Sequence, residues 1–133
     1  MKYMLDTNVC IHVMKQKPLS VMENFRRHAS MDVCISSITY AELCHGVDKS
    51  RNKEQNRLAL SIFLAGIQII PFDSAAAAAY GRLSTYLESA GTPIGVMDTL
   101  IASHALSLGL TIVTNNTREF IRVPGLTVED WVS

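Results

Sequence analysis

The stretch Tyr3-Met4-Leu5-Asp6-Thr7-Asn8-Val9-Cys10-Ile11 decides how the rest of the chain is read. Its first three residues suit a short buried strand. Asp-Thr-Asn then stops that strand and starts a helix, because side-chain oxygens at such a boundary accept from the orphan N–H groups of a first helical turn. Yet Asp6 stands between two apolar runs, where an unpaired carboxylate costs several kcal/mol or shifts its pKa until it is neutral. Asp6 therefore requires a hydrogen-bond donor, open solvent or a cation.

Working outward, Pro18 ends the first helix, and "LSVMENFRRHA" sets Leu19, Met22 and Phe25 on one stripe with Arg26 and Arg27 toward solvent. "DVCISS" is a second strand. Ser37 is expected to cap the helix through "ITYAELCHGVDKS", whose inward face is read as Ile38, Ala41 and Cys44. "NKEQNRLALSIFLAGI" repeats the helical spacing with Leu58, Ile62 and Ala65, and "QIIPF" is a third strand stopped by Pro71. Asp73 or Ser74 caps the alanine-rich helix "SAAAAAYGRLSTYLESA". The turn "GTPIG" leads into the helix "VMDTLIASHALSLG" with a glycine stop at Gly109, then come the strand "LTIVTNN", a short helical "REF" and a last strand in "GLTVEDW". Strands alternating with helices imply an α/β fold with a mostly parallel sheet, and ligands then bind at the carboxyl ends of the strands, near the point where strand order reverses. Asp6 falls on that rim.

The chain has 133 residues and a mass of 14.7 kDa, with 48% hydrophobic residues and a mean hydropathy of +0.18, which suits a single domain over residues 1–133 with a sizeable core. No apolar run approaches the ~18 residues that cross a bilayer, and the first residues lack the apolar region of a signal peptide, so a cytoplasmic protein with no membrane partner is expected. Cys10, Cys34 and Cys44 are odd in number, stand at no metal-ligand spacing and have apolar neighbours. They read as buried thiols. Twelve basic and twelve acidic residues cancel, and composition alone does not announce a nucleic-acid partner. If four acids were committed to a metal, twelve positive charges would face eight negative ones on the remaining surface, a net +4 that suits a polyanion.

Four further positions join Asp6 as improbable or well-placed polar groups. Glu42 lies among apolar residues one turn into a helix, Asp98 sits in a first turn between Met97 and Leu100, and the turn after the fourth strand supplies Asn116 and Glu119. Singly each has an ordinary role: Asp6 caps a helix, Asp98 favours a helix dipole, and Glu42 pairs with a nearby cation. Collected at one rim, like charges repel unless a cation is present. Oxygen ligands without thiolate or imidazole suit Mg²⁺ or Mn²⁺, which hold phosphate and promote phosphodiester hydrolysis. The residues point weakly to a nuclease.

The order "MLDTN", "ISSITYAELCHG", "GVMDTLIASHAL", "IVTNNTREF" resembles the PIN-domain ribonucleases, in particular the VapC toxins of bacterial toxin–antitoxin pairs. The similarity runs along nearly the whole chain, and the closing "GLTVEDW" resembles the enteric members. The resemblance implies a three-layer α/β/α sandwich around a mostly parallel sheet of four to five strands, a homodimer, and an acidic Mg²⁺ or Mn²⁺ site that cuts RNA. Carried over by position, Asp6 and Asp98 resemble metal ligands and Glu42 the second acidic residue. Thr7, Asn8, Ser36, Thr39 and Thr114 match groups that orient the carboxylates or the attacking water. The departure is Asn116, where many PIN domains have aspartate; Glu119, one helical turn later, is the candidate substitute. The resemblance further implies initiator tRNA, cut in its anticodon loop, as substrate and a VapB-type antitoxin as partner.

Lys15, Lys17 and Arg118 are the candidate phosphate contacts, Arg118 because "NNTREF" sets it beside the presumed site. With few aromatics, recognition by shape and backbone is expected. The four histidines receive no catalytic role. Two rivals remain. A phosphoacceptor switch would want a second aspartate where Asn8 stands, and a lysine after a late strand; a catalytically weak RNA-binding module would bind metal without turnover.

Overall fold

The computed structural model describes residues 2–133, and the side chains of all of them except 29–31. Its strands are β1 (Tyr3–Leu5), β2 (Val33–Ser36), β3 (Gln68–Ile70), β4 (Thr111–Val113) and β5 (Val128–Glu129). Its helices are α1 (Thr7–Lys15), α2 (Leu19–Asp32), α3 (Ser37–Lys49), α4 (Lys53–Leu64), α5 (Ser74–Ser89), α6 (Val96–Leu108) and α7 (Thr117–Phe120). The strands form one sheet in the order β3-β2-β1-β4-β5, every pair parallel.

Short apolar strands make sense here because both faces of the sheet are covered. Alternation along each strand sorts the core into two layers. Tyr3, Leu5, Val33, Ile35 and Val113 face one way, onto Val9, Val13, Val21, Leu43, Val47 and Leu60 from α1 to α4. Met4, Cys34 and Ile112 face the other, onto Leu83, Leu87, Ile101, Ala102, Ala105 and Phe120 from α5 to α7. The register pairs Met4 with both Cys34 and Ile112, so the second core runs unbroken across three strands. The result is the expected α/β/α sandwich, with five strands.

Chain order positions the site. From β1 the chain lays down β2 and β3 outward on one side, then crosses back over α5 and α6 to place β4 against the other side of β1. The carboxyl ends of β1 and β4 thus flank the point where winding direction reverses. At the end of α6, Gly109 adopts φ 67°, and its N–H closes onto the Ala105 and Leu106 carbonyls. A residue without Cβ takes that left-handed conformation at little cost and turns the chain straight into β4.

Several local expectations need correcting. Ser36, not Ser37, caps α3 through its Oγ and the Ile38 N–H at 3.0 Å, while the Ser37 hydroxyl accepts from the Phe72 N–H at 2.9 Å. The inward face of α3 is Thr39, Leu43 and Val47; Ala41 is exposed and Cys44 only half-buried. Leu19 is also exposed, and the buried residue of that turn is Val21. In α4, Leu58 and Ile62 are 62% and 68% exposed, whereas Leu60 is buried at 6%. The cause is common to these helices: each carries two apolar series at helical spacing, and spacing alone cannot say which one meets the sheet. Leu60→Ala is therefore expected to lower unfolding free energy by about 2–4 kcal/mol in urea titration, and Leu58→Ser to change it by under about 0.5 kcal/mol. Equal losses would mean that the inward face of α4 is misassigned.

Candidate active site

Asp6 ends β1 in extended conformation and donates its N–H to the Val113 carbonyl at 3.0 Å, which keeps the strand pairing intact up to the rim. Its carboxylate is 3% exposed. Oδ1 accepts from the Val9 N–H at 2.9 Å, capping α1, and Oδ2 accepts from the Thr114 hydroxyl at 2.5 Å. Thr114 in turn accepts from the Asn116 N–H at 2.9 Å, which occupies its oxygen and directs its proton to Asp6. The helix-cap role and the site role of Asp6 coexist, one on each carboxylate oxygen.

The other acids converge from three elements. Glu42, one turn into α3, accepts from the Thr7 hydroxyl at 2.5 Å, which ties α3 to the first turn of α1. Asp98, in the first turn of α6, accepts from Asn116 Nδ2 over a long 3.5 Å. Glu119 lies half-buried on α7. Burial, above all, raises the Asp6 pKa, Glu42 adds to it, and the bonds from Thr114 and Val9 oppose it. Asp98 is pushed up to about 6, first by burial and then by the charges of Asp6, Glu119 and Glu42, with the Asn116 bond working the other way. Asp98 thus stands in the field of Asp6, Glu42 and Glu119, and Asp6 also in that of Glu42. Among the described residues the sole Lys or Arg ion pair is Arg57 with Asp48, an exposed contact on α3 and α4.

The remaining expected residues are placed as follows. Ser36 is buried and bonds to the Ile38 N–H and to His104, Thr39 is buried with its hydroxyl unpartnered, and neither donates to a carboxylate. Asn8 is exposed and makes no side-chain hydrogen bond among the described residues. Lys15 shares a cleft of about 310 Å³ with Glu42, lined also by Ile11, Met14, Leu43 and Ala59. Lys17 lies further off, beside His12 and Pro18, and Arg118 is exposed on α7. His104, given no role from the sequence, is fully buried with Nδ1 2.8 Å from the Ser36 hydroxyl. A signal was available: α6 is so apolar and small-residued that little of it could face water, and a histidine there had to find a partner inside.

Among the described residues no three His, Cys, Asp or Glu side chains converge closely enough to enclose an ion by themselves. A hard cation such as Mg²⁺ does not require that, since it commonly takes one or two carboxylates and keeps several waters. The donors here are all oxygen, and among the described residues no Lys or Arg is ion-paired with them. Asp6 and Asp98 fit such an ion.

Known proteins resemble this chain over nearly its whole length. Residues 3–126 match the PIN domain family. The tRNA(fMet)-specific endonuclease VapC of Shigella flexneri is 47% identical over 131 residues, covering 98% of each chain. Ribonuclease VapC2 of Rickettsia felis is 47% identical over 132 residues, again 98% of each. Among solved structures, VapBC2 from Rickettsia felis bound to a promoter DNA fragment superposes with a TM-score of 0.92 at 45% identity, covering 98% of this chain and 99% of that one. The DNA-bound VapBC of Salmonella typhimurium gives 0.93 at 44% identity, with 98% of both chains covered. Fold, rim of carboxylates and full-length identity converge on one assignment: the chain belongs to the PIN-domain family and, within it, to the VapC group.

Proposed function

We propose that the chain is the ribonuclease toxin of a toxin–antitoxin pair, a Mg²⁺- or Mn²⁺-dependent endoribonuclease that hydrolyses initiator tRNA in its anticodon loop and so stops translation. The observation that carries the reading is the set of four carboxylates near the switch point with, among the described residues, no Lys or Arg side chain paired to them. Full-length relatives named as tRNA(fMet)-specific endonucleases support the substrate.

Asp6 and Asp98 would hold the cation, which when bound sets positive charge against the phosphate and acidifies water. Thr114 and the Val9 N–H fix the Asp6 carboxylate before substrate arrives, so no reorganisation is spent on it during the reaction. Thr7 holds Glu42 Oε1, leaving Oε2 to accept a proton from the attacking water as the new P–O bond forms and the ester P–O bond breaks, the departing alkoxide taking a proton from solvent. Asn116 orients Asp98 through Nδ2, and Glu119 adds negative charge at the far wall. Arg118 and Lys15, both exposed near the rim, take flanking phosphates, with Lys17 further along.

The partner follows from the same surface. Relatives have been solved as VapBC complexes, and the apolar cleft that opens beside Glu42 suits a segment of a VapB-type antitoxin. No helix among the described residues is long and apolar enough to cross a membrane. We place the protein in the cytoplasm with its tRNA substrate, as a homodimer of one-domain subunits.

Purified protein given total tRNA should release one discrete fragment in Mg²⁺ or Mn²⁺ and none in EDTA, and Asp98→Asn should lower kcat/KM about 100-fold, or ~2.7 kcal/mol. Failure of folded, metal-supplied protein to cut any tRNA would count against the reading and favour an RNA-binding module. The metal-free fold should show the cost of the site. Because the folded pKa of Asp98 lies above its ordinary value of 3.8, its ionisation penalty is absent well below pH 3.8, grows as pH rises from there to about 6 and is full above that. In EDTA at pH 7.5, Asp98→Asn should therefore raise Tm by a few degrees, about 1 kcal/mol once solvent screening is allowed for, with the gain vanishing well below pH 3.8. Adding Mn²⁺ should reverse the order by stabilising the wild type more. A variant that is less stable than wild type in EDTA at pH 7.5 would remove the case for charge repulsion.

A further inference from the structure

We propose that His104 is a positioning residue for the active site, holding the helix of Asp98 against the helix of Glu42 through the Ser36 hydroxyl; the inference rests on the ribonuclease reading above. The residue lies at the junction of the two elements that carry these acids. His104 is on α6, six residues after Asp98, and Ser36 is the N-cap of α3, six residues before Glu42. Both are fully buried. Their contact, Nδ1 to Oγ at 2.8 Å, is the one side-chain hydrogen bond among the described residues that joins α6 to β2 or α3.

The chemistry of the contact makes it directional. Ser36 Oγ already accepts from the Ile38 N–H at 3.0 Å, so its proton is free to be donated to Nδ1. Burial lowers the His104 pKa, which favours the neutral ring that such a bond needs, and the Pro71 carbonyl nearby favours a proton on the ring. Nε2 makes no hydrogen bond of good geometry. The ring is wedged edge-on against Phe72, with centroids 5.3 Å apart, so it has little freedom to rotate away from Ser36. One imidazole thus links α6, the end of β2 and the segment after β3 at the carboxyl edge of the sheet.

The consequence concerns the spacing of the two acids. Glu42 is tied to α1 by Thr7, and Asp6 is tied to β4 by Thr114, but among the described residues the Asp98 side chain has one hydrogen bond, the long one from Asn116. The position of α6 relative to α3 then sets where Asp98 stands, and small displacements of catalytic groups cost large factors in rate. Ordinary core packing would be met by any side chain of the same volume. A positioning bond would not.

The test compares His104→Leu, which keeps volume and loses the bond, with His104→Asn, whose side-chain amide reaches the place of Nδ1, and with Ser36→Ala. Each is assayed for steady-state tRNA cleavage well below its Tm, and for the shift in Tm produced by Mn²⁺. We expect His104→Leu to lower kcat about tenfold with KM within twofold and to diminish the Mn²⁺ shift, while His104→Asn recovers to within about threefold of wild type. Ser36→Ala combined with His104→Leu should lose no more than the worse single variant. If His104→Leu does not fold, Ser36→Ala and His104→Asn decide between themselves: loss in the first and retention in the second support the link. Unchanged kcat and Mn²⁺ shift in folded His104→Leu, or equal loss in the Leu and Asn variants, would overturn it. Wild-type protein with a Mn²⁺ shift but no cleavage would overturn the ribonuclease reading alone, and the shifts of the variants would still decide this one.

Discussion

A single hydrogen bond, from the Thr114 hydroxyl to the Asp6 carboxylate, joins residues 108 positions apart and closes the point at which the sheet reverses its winding. The parallel pairing of β1 with β4 delivers the two groups to the same height, since the last paired residues, Leu5 and Val113, immediately precede them. Two bonds to a charged acceptor contribute about 1.5–3 kcal/mol each, while burying an ion costs several kcal/mol even after relaxation. Burial prevails: Asp6 still has a raised pKa despite both bonds. The fold therefore carries a carboxylate whose compensation is incomplete, and the remaining deficit is the kind of imbalance that a cation corrects.

The elements themselves were legible because their punctuation is local. Asp6, Asp73 and Gly109 act at their helix ends through the capping chemistry that their side chains, or the lack of one, dictate. What failed was the choice between competing helical faces. In α4 the series Leu58, Ile62 and Ala65 is as regular as the series through Leu60 and Phe63, and only the tertiary position of α1 and α3 selects the second. The same limit applied to the site. Apolar neighbours betray Asp6, Glu42 and Asp98 as residues in the wrong company, yet nothing in their spacing says that Thr7 would hold Glu42 or that Thr114 would hold Asp6. Those bonds arise from sheet order. His104 was passed over for a related reason: six residues from Asp98 reads as a different helix face, and that different face is where Ser36 lies.

Zero net charge conceals an uneven distribution. Four acids are drawn into one rim, and their basic counterparts are left on the outside, where Arg26, Arg27, Arg51, Lys53 and Arg118 are exposed. A neutral chain can in this way present a basic surface around an acidic site. Gathering the acids costs stability, as the elevated pKa of Asp98 records, and the two-layer core with its unbroken Met4, Cys34 and Ile112 row is what offsets that cost. Stability is produced in the layers and spent at the edge.

Asn116 changes the arithmetic of that edge. A carboxylate there would bring a fourth negative charge against Asp98, whose pKa is already pushed up to about 6, first by burial and then by three charged neighbours. The amide instead donates Nδ2 to Asp98 and its backbone N–H to Thr114, so one residue restrains both acids that are candidates for the cation. On the proposed reading, two carboxylates would neutralise one divalent ion, and Glu42, which Thr7 holds on Oε1, would keep Oε2 for water. An amide in place of an acid at 116 would then favour a well-oriented first ion over a second.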